Sequence, residues 1–155
     1  MYEEFTERSR NVIQLANREA QKMFHEHVGT EHILLGILNE GTGVAINVLE
    51  NLNLNLSDLV KEIQSRIQPG PEMFTTGWLP KTARAKLTLS DASAEAKAMN
   101  HSYVGTEHLL IALARQTEGF AAEALQKFGI EVERLRKETA RISQLESTST
   151  NVEPE

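Results

Sequence analysis

Four residues carry the clearest chemical potential in this chain: Thr6, Glu31, Thr82 and Glu107. Each threonine is placed to cap a helix, whose exposed first-turn N–H groups can hold an anion such as phosphate. Each glutamate can pair bidentately with a guanidinium. An ordinary structural role explains the same residues, because threonine caps helices widely and glutamate is favoured in first turns by the helix dipole. Acid–base catalysis by Glu31 and Glu107 would require a set separation between them, which the sequence does not supply. The histidines, His25, His27, His32, His101 and His108, sit near these glutamates. Zinc needs three or four converging ligands. The second half of the chain, however, has Ser102 and Tyr103 where the first has Glu26 and His27. Local hydrogen bonds at helix ends are therefore the expectation for His25, His32, His101 and His108, and no metal or other cofactor is expected.

Other chemistries lack their residues. Gly41-Thr42-Gly43 has neither the lysine nor the preceding strand of a phosphate-binding loop. No nucleophile elbow is present. The chain has no cysteine, which removes disulfides, thiol nucleophiles and cysteine-ligated metals and fits a reducing compartment.

The elements that must position these residues come from an internal duplication. Gly-Thr-Glu-His occurs at 29–32 and again at 105–108, and aligning 6–63 with 82–139 without gaps gives 19 identities in 58 positions. Each unit reads as four helices. In the first, Thr6 caps a helix running to Met23, and Thr30 caps a second whose inner face is Ile33, Leu34, Ile37 and Leu38. A third covers Val44–Asn51, and a fourth starts near Ser57. In the second unit Thr82 caps a helix to Met99, Thr106 caps one to Arg115, and Phe120–Phe128 and Val132–Ile142 follow. No alternation of period two suggests a strand. The predicted fold is all-α, a pseudo-twofold duplication of a four-helix repeat. Its boundaries are repeat one at 2–67, a linker at 68–80 and repeat two at 81–146, together forming one domain over 1–146. A polar acidic tail follows at 147–155. The linker is rich in proline and glycine, and its Met73, Phe74 and Trp78 suggest that it packs back on the domain.

The 155 residues carry a formal net charge of −6 and 40 % hydrophobic residues. That size suits one domain with a real core, whereas one unit of about 60 residues is marginal alone, so the halves are expected to pack together. A surface feature of one half is expected to appear twice. The charge disfavours nucleic acid and anionic membranes as partners. With no secretory signal or membrane span readable, the expected location is cytoplasmic.

Phe5-Thr6-Glu7-Arg8, Val28-Gly29-Thr30-Glu31-His32-Ile33-Leu34-Leu35-Gly36 and His101-Ser102-Tyr103-Val104-Gly105-Thr106-Glu107-His108-Leu109-Leu110 resemble the duplicated amino-terminal domain of Clp ATPase chaperones, and the ClpC type most of all. The resemblance covers about residues 2–145. It implies a non-catalytic domain that receives substrate and adaptor proteins for an unfoldase and its protease. For the ClpC type it also implies recognition of arginine-phosphorylated proteins at two related sites, Thr6 with Glu31 and Thr82 with Glu107. The glutamates would hold the guanidinium, and the threonines with their helix N-termini would hold the phosphate. Where such domains commonly have Thr-Pro-Arg, this chain has Thr82-Ala83-Arg84. These 155 residues hold no ATPase module, so the expectation is either an excised domain or a free-standing relative, and the initial Met and acidic end favour the latter. The alternative function is an accessory or regulatory protein that docks on a Clp complex and ignores both glutamates. A metal- or acid-dependent hydrolase is the third reading.

Overall fold

The computed structural model describes residues 4–71 and 75–148. Eight helices form among them: α1 (Glu7–Lys22), α2 (Thr30–Glu40), α3 (Val44–Asn51), α4 (Leu56–Arg66), α5 (Ala83–Ala98), α6 (Thr106–Ala114), α7 (Phe120–Lys127) and α8 (Val132–Thr148). No strand occurs among the described residues, only two isolated parallel bridges. The duplication is therefore all-helical, as its sequence predicts.

The ends of α1 and α5 follow the local rules. Thr6 Oγ1 accepts the Ser9 amide at 3.1 Å, and Thr82 Oγ1 accepts the Ala85 amide at 3.1 Å. Each satisfies one orphan donor of a helix start. Thr30 and Thr106 depart from the prediction. Gly29 and Gly105 are the N-caps, and the threonines are the first helical residues, nearly buried. Thr106 instead turns outward from its own helix, and its Oγ1 accepts the amide of Ala45 at 3.2 Å. It thereby caps α3 of the other repeat, whose own N-cap Gly43 has no side chain to do so.

Helices α1 and α2 pair, as do α5 and α6, while α3 packs on α6 and α8 and α4 packs on α7. The repeats interlock and do not merely abut. A single apolar cluster runs through both of them, with Leu34, Ile37, Leu49, Leu109, Ile111, Leu113 and Leu125 at its centre. A fully buried Leu or Ile stabilises by roughly 1.5–3 kcal/mol relative to exposure, so sharing the core gives each repeat what about 60 residues cannot bury alone. Where α1 meets α2 the approach is close: a Cβ at Gly36 would lie 2.6 Å from the Val12 carbonyl oxygen.

One predicted boundary changes. Helix α8 continues to Thr148, past Ile142 and into the first residues read as a tail, while 149–155 lie outside the described residues. The linker does pack back, through its backbone and through Leu79. Asn17 Nδ2 donates to the Gly77 carbonyl at 2.8 Å, and the Leu79 amide donates to Asn17 Oδ1 at 2.9 Å. Leu79 is buried whereas Trp78 is 67 % exposed; Met73 and Phe74 lie outside the described residues. No single helix among the described residues is long and apolar enough to cross a membrane.

Candidate functional site

The four candidate residues are brought together in a crossed arrangement. The amide of Thr82 donates to the Val28 carbonyl at 2.9 Å, and the Val28 amide donates to the Pro80 carbonyl at 2.9 Å. The segment entering α5 therefore lies beside the Gly-Thr-Glu-His loop of the first repeat. Correspondingly, the Thr6 amide donates to the Val104 carbonyl at 3.0 Å, which sets the start of α1 beside the loop of the second repeat. The predicted pairs Thr6–Glu31 and Thr82–Glu107 are thus exchanged. Thr82 and Glu31 line one cleft of about 460 Å³, together with Phe24, His25, Gly70 and Pro71. The crossing follows from interlocked packing, which an alignment of one repeat on the other cannot reveal.

The two junctions are not equivalent. Glu31 is half-buried at the cleft wall, whereas Glu107 is 2 % exposed. The expectation of the same open feature in each half is corrected here. The hydroxyls differ as well. Thr6 donates its proton to Ser9 Oγ at 3.0 Å. Ala85 stands at the position equivalent to Ser9, so Thr82 has no side-chain acceptor for its hydroxyl at that place. Glu7 lies in the first turn of α1, and the first turn of α5 holds no acidic residue. An anion at the start of α5 meets the helix dipole unopposed, whereas one at α1 meets Glu7. These Ser9/Ala85 and Glu7/Ala83 differences were readable in the aligned repeats, and they are the signal that distinguishes the sites.

Burial pushes the Glu31 carboxyl above the usual carboxylate range, against the opposing pull of its own backbone amide and of nearby His25. The side chain folds back over Gly29, into the space a Cβ there would take. Glycine at the N-cap is thus what allows the carboxylate to sit at the cleft wall.

The histidines behave as expected of local hydrogen-bonding groups, and their order defines their tautomers. The Gly29 amide donates to His32 Nδ1 at 2.9 Å, so the neutral ring carries its proton on Nε2. That proton points at His25 Nδ1, 2.8 Å away. His25 Nε2–H then donates to the Gln68 carbonyl at 2.7 Å. In the second repeat the order is Gly105 amide, His108, His101 and Ser143 Oγ, at 2.9, 2.8 and 2.9 Å. Burial first, and then the charge of His25, lowers His32 to about 4; burial also lowers His101. The ligand atoms of His101, Glu107 and His108 lie within 4.8 Å of one another. Both nitrogens of each ring are committed to the relay, however, which fits hydrogen bonding better than metal ligation.

The sequence matches the Clp repeat (R) N-terminal domain family over residues 4–78 and 80–155. It is 40 % identical over 154 residues, 99 % of this chain and 18 % of the relative, to a probable ATP-dependent Clp protease ATP-binding subunit of Chlamydia pneumoniae. It is 41 % identical over 142 residues, 92 % of this chain and 17 % of the relative, to the negative regulator of genetic competence ClpC/MecB of Bacillus subtilis. The chain thus spans less than a fifth of these curated relatives' length. Its fold is similar to a ClpV N-domain solved in complex with a VipB peptide, with TM-score 0.69 and 20 % identity over 88 % of this chain and 85 % of that one.

Proposed function

The chain belongs to the Clp repeat N-terminal domain family, and from that premise we propose that it is a non-catalytic protein-binding domain that recognises substrates or adaptors for a Clp unfoldase and protease in the cytoplasm. The ligand chemistry we assign is phosphoarginine on a protein chain, held in the cleft between Glu31 and Thr82. Glu31 pairs with the guanidinium; the Thr82 hydroxyl and the first-turn amides of α5 take the phosphate. The observation that carries this reading is that Glu31 and Thr82, from opposite repeats, line one cleft. An anion acceptor and a cation acceptor therefore stand side by side, which suits a group holding both charges. The junction of Thr6 with the Glu107 loop is the subordinate one, since its glutamate is buried and its threonine proton is engaged. The ClpV N-domain bound to a VipB peptide supports peptide binding as a use of this fold. Clp ATPase or protease subunits are the expected further partners.

Calorimetric titration with three versions of one peptide, carrying phosphoarginine, arginine or phosphoserine, tests the assignment. Binding of the first, with the other two at least about tenfold weaker (1.4 kcal/mol), is expected. Equal binding of all three removes phosphoarginine as the ligand and leaves general peptide docking. Co-purification of a Clp complex that survives loss of Glu31 selects the accessory-protein alternative.

A further inference from the structure

The cleft wall opposite α5 is held by an imidazole. Phe24, in the left-handed region at φ 59°, follows the C-cap of α1 and swings the chain so that the His25 amide closes back on the Ala20 carbonyl at 2.9 Å. The His25 ring then lies between two parts of the cleft. On one side it accepts from His32, which receives the amide of the N-cap Gly29 beneath the Glu31 carboxylate. On the other it donates to the Gln68 carbonyl, at the start of the segment whose Gly70 and Pro71 line the cleft. The Gly70 amide, in turn, donates to the Met23 carbonyl at 2.8 Å. The second repeat has the same relay, but it ends on Ser143 within α8. In the first repeat the relay ends instead on the backbone of the segment that leads into the cleft wall at Gly70.

Every proton in this relay has one allowed place. The Gly29 amide fixes His32 Nδ1 as an acceptor, and that fixes the direction of the next two bonds. A proton added to His25 Nδ1 would face the Nε2–H of His32, two donors 2.8 Å apart. The contact must then break. We propose that the His25–His32 relay positions Glu31 and the Gln68–Pro71 wall, and that uptake of one proton by the relay opens it and weakens ligand binding in the cleft. The titratable groups around the relay are Glu26 and His27 from its own loop and Glu31 from α2. The 68–71 segment presents carbonyl and apolar groups, and the start of α5 presents Thr82.

This inference rests on the reading of the cleft given above. The test compares the parent chain with His25→Gln and His25→Ala, using a phosphoarginine peptide between pH 7.5 and 5.5. Glutamine can accept from His32 and donate to Gln68 without titrating. The expected result is an affinity loss of about tenfold in the parent across this range, as one proton is taken up. Whatever its affinity at pH 7.5, His25→Gln should lose at most about a third of that logarithmic change. His25→Ala should bind weakly at both ends. Should the alanine variant fail to fold by circular dichroism, the parent and the glutamine variant decide between them. Parallel pH profiles for these two, with binding present, overturn the relay and leave the cleft reading intact. Absence of parent binding at pH 7.5 overturns both.

Discussion

Thr82 and Val28 belong to opposite repeats, yet the Thr82 amide donates to the Val28 carbonyl at 2.9 Å. That bond brings the start of α5 beside the loop that carries Glu31, and it makes the cleft a product of both repeats. Neither copy alone supplies both Glu31 and Thr82 to it. The duplication is thus part of how the site is assembled, not a doubling of an existing site.

The threonines should differ in the same direction as the cleft. Replacing Thr82 with Ala removes a cap and a ligand donor, so it should lower both stability, by about 1 kcal/mol, and peptide affinity. Thr6→Ala should lower stability by a similar amount and leave affinity within about twofold of the parent. Chemical denaturation and calorimetric titration of the two variants check this.

Acid should destabilise the fold through His32. Its native value, about 4, lies below the ordinary imidazole value of about 6.5, so below pH 6.5 the unfolded chain binds a proton that the native chain does not. Stability from this group is fully present above about pH 6.5 and is lost as pH falls towards 4, by on the order of 3 kcal/mol. The raised Glu31 carboxyl acts in the opposite sense, since its burial cost is relieved as pH falls through its native value. Denaturation midpoints at pH 7.5 and 5 for the parent and His32→Gln isolate the imidazole: the variant should show a shallower acid slope.

Much of this was legible in the sequence. The offset of the two Gly-Thr-Glu-His motifs revealed the duplication, and cap residues and glycines set helices such as Val44–Asn51, because both signals are local. The pairing of Thr82 with Glu31 was not legible, since it depends on α3 crossing to α6 and α4 to α7. Nor was the burial of Glu107. Its neighbours in sequence are the same as those of Glu31, and the difference lies in what the rest of the chain lays over it. The role of Thr106 was missed for the same reason, because the amide that it caps is 61 residues away.

Glu95 should matter more than its counterpart Glu19. It is 5 % exposed and accepts from Arg115 at 3.1 Å and from Arg136 at 2.6 Å, tying α5 to α6 and α8. Removing a nearly buried carboxylate from half-exposed arginines costs roughly 1–3 kcal/mol. Glu19 accepts from Asn39 in an exposed pair, and its loss should cost at most about 1 kcal/mol. Thermal unfolding of Glu95→Gln and Glu19→Gln compares them, and at this chain length each kcal/mol corresponds to about 2–4 °C.

Gly36→Ala should destabilise by about 1–3 kcal/mol, the usual cost of overpacking, because the added methyl meets the Val12 carbonyl oxygen of α1 at 2.6 Å. The second repeat accommodates Ala112 at the equivalent place, so Ala112→Gly is expected to lower stability too, by the loss of a buried methyl and of helix propensity. Denaturant midpoints of the two variants measure both effects.

The central claim is that Glu31, which lines one cleft with Thr82, carries ligand recognition. The most direct measurement is the affinity of Glu31→Ala and of Glu107→Ala for a phosphoarginine peptide, each variant first checked for a cooperative melt. The account predicts that Glu31→Ala loses at least about tenfold, or 1.4 kcal/mol, and that folded Glu107→Ala stays within about threefold of the parent. Parent-like binding by Glu31→Ala would contradict it.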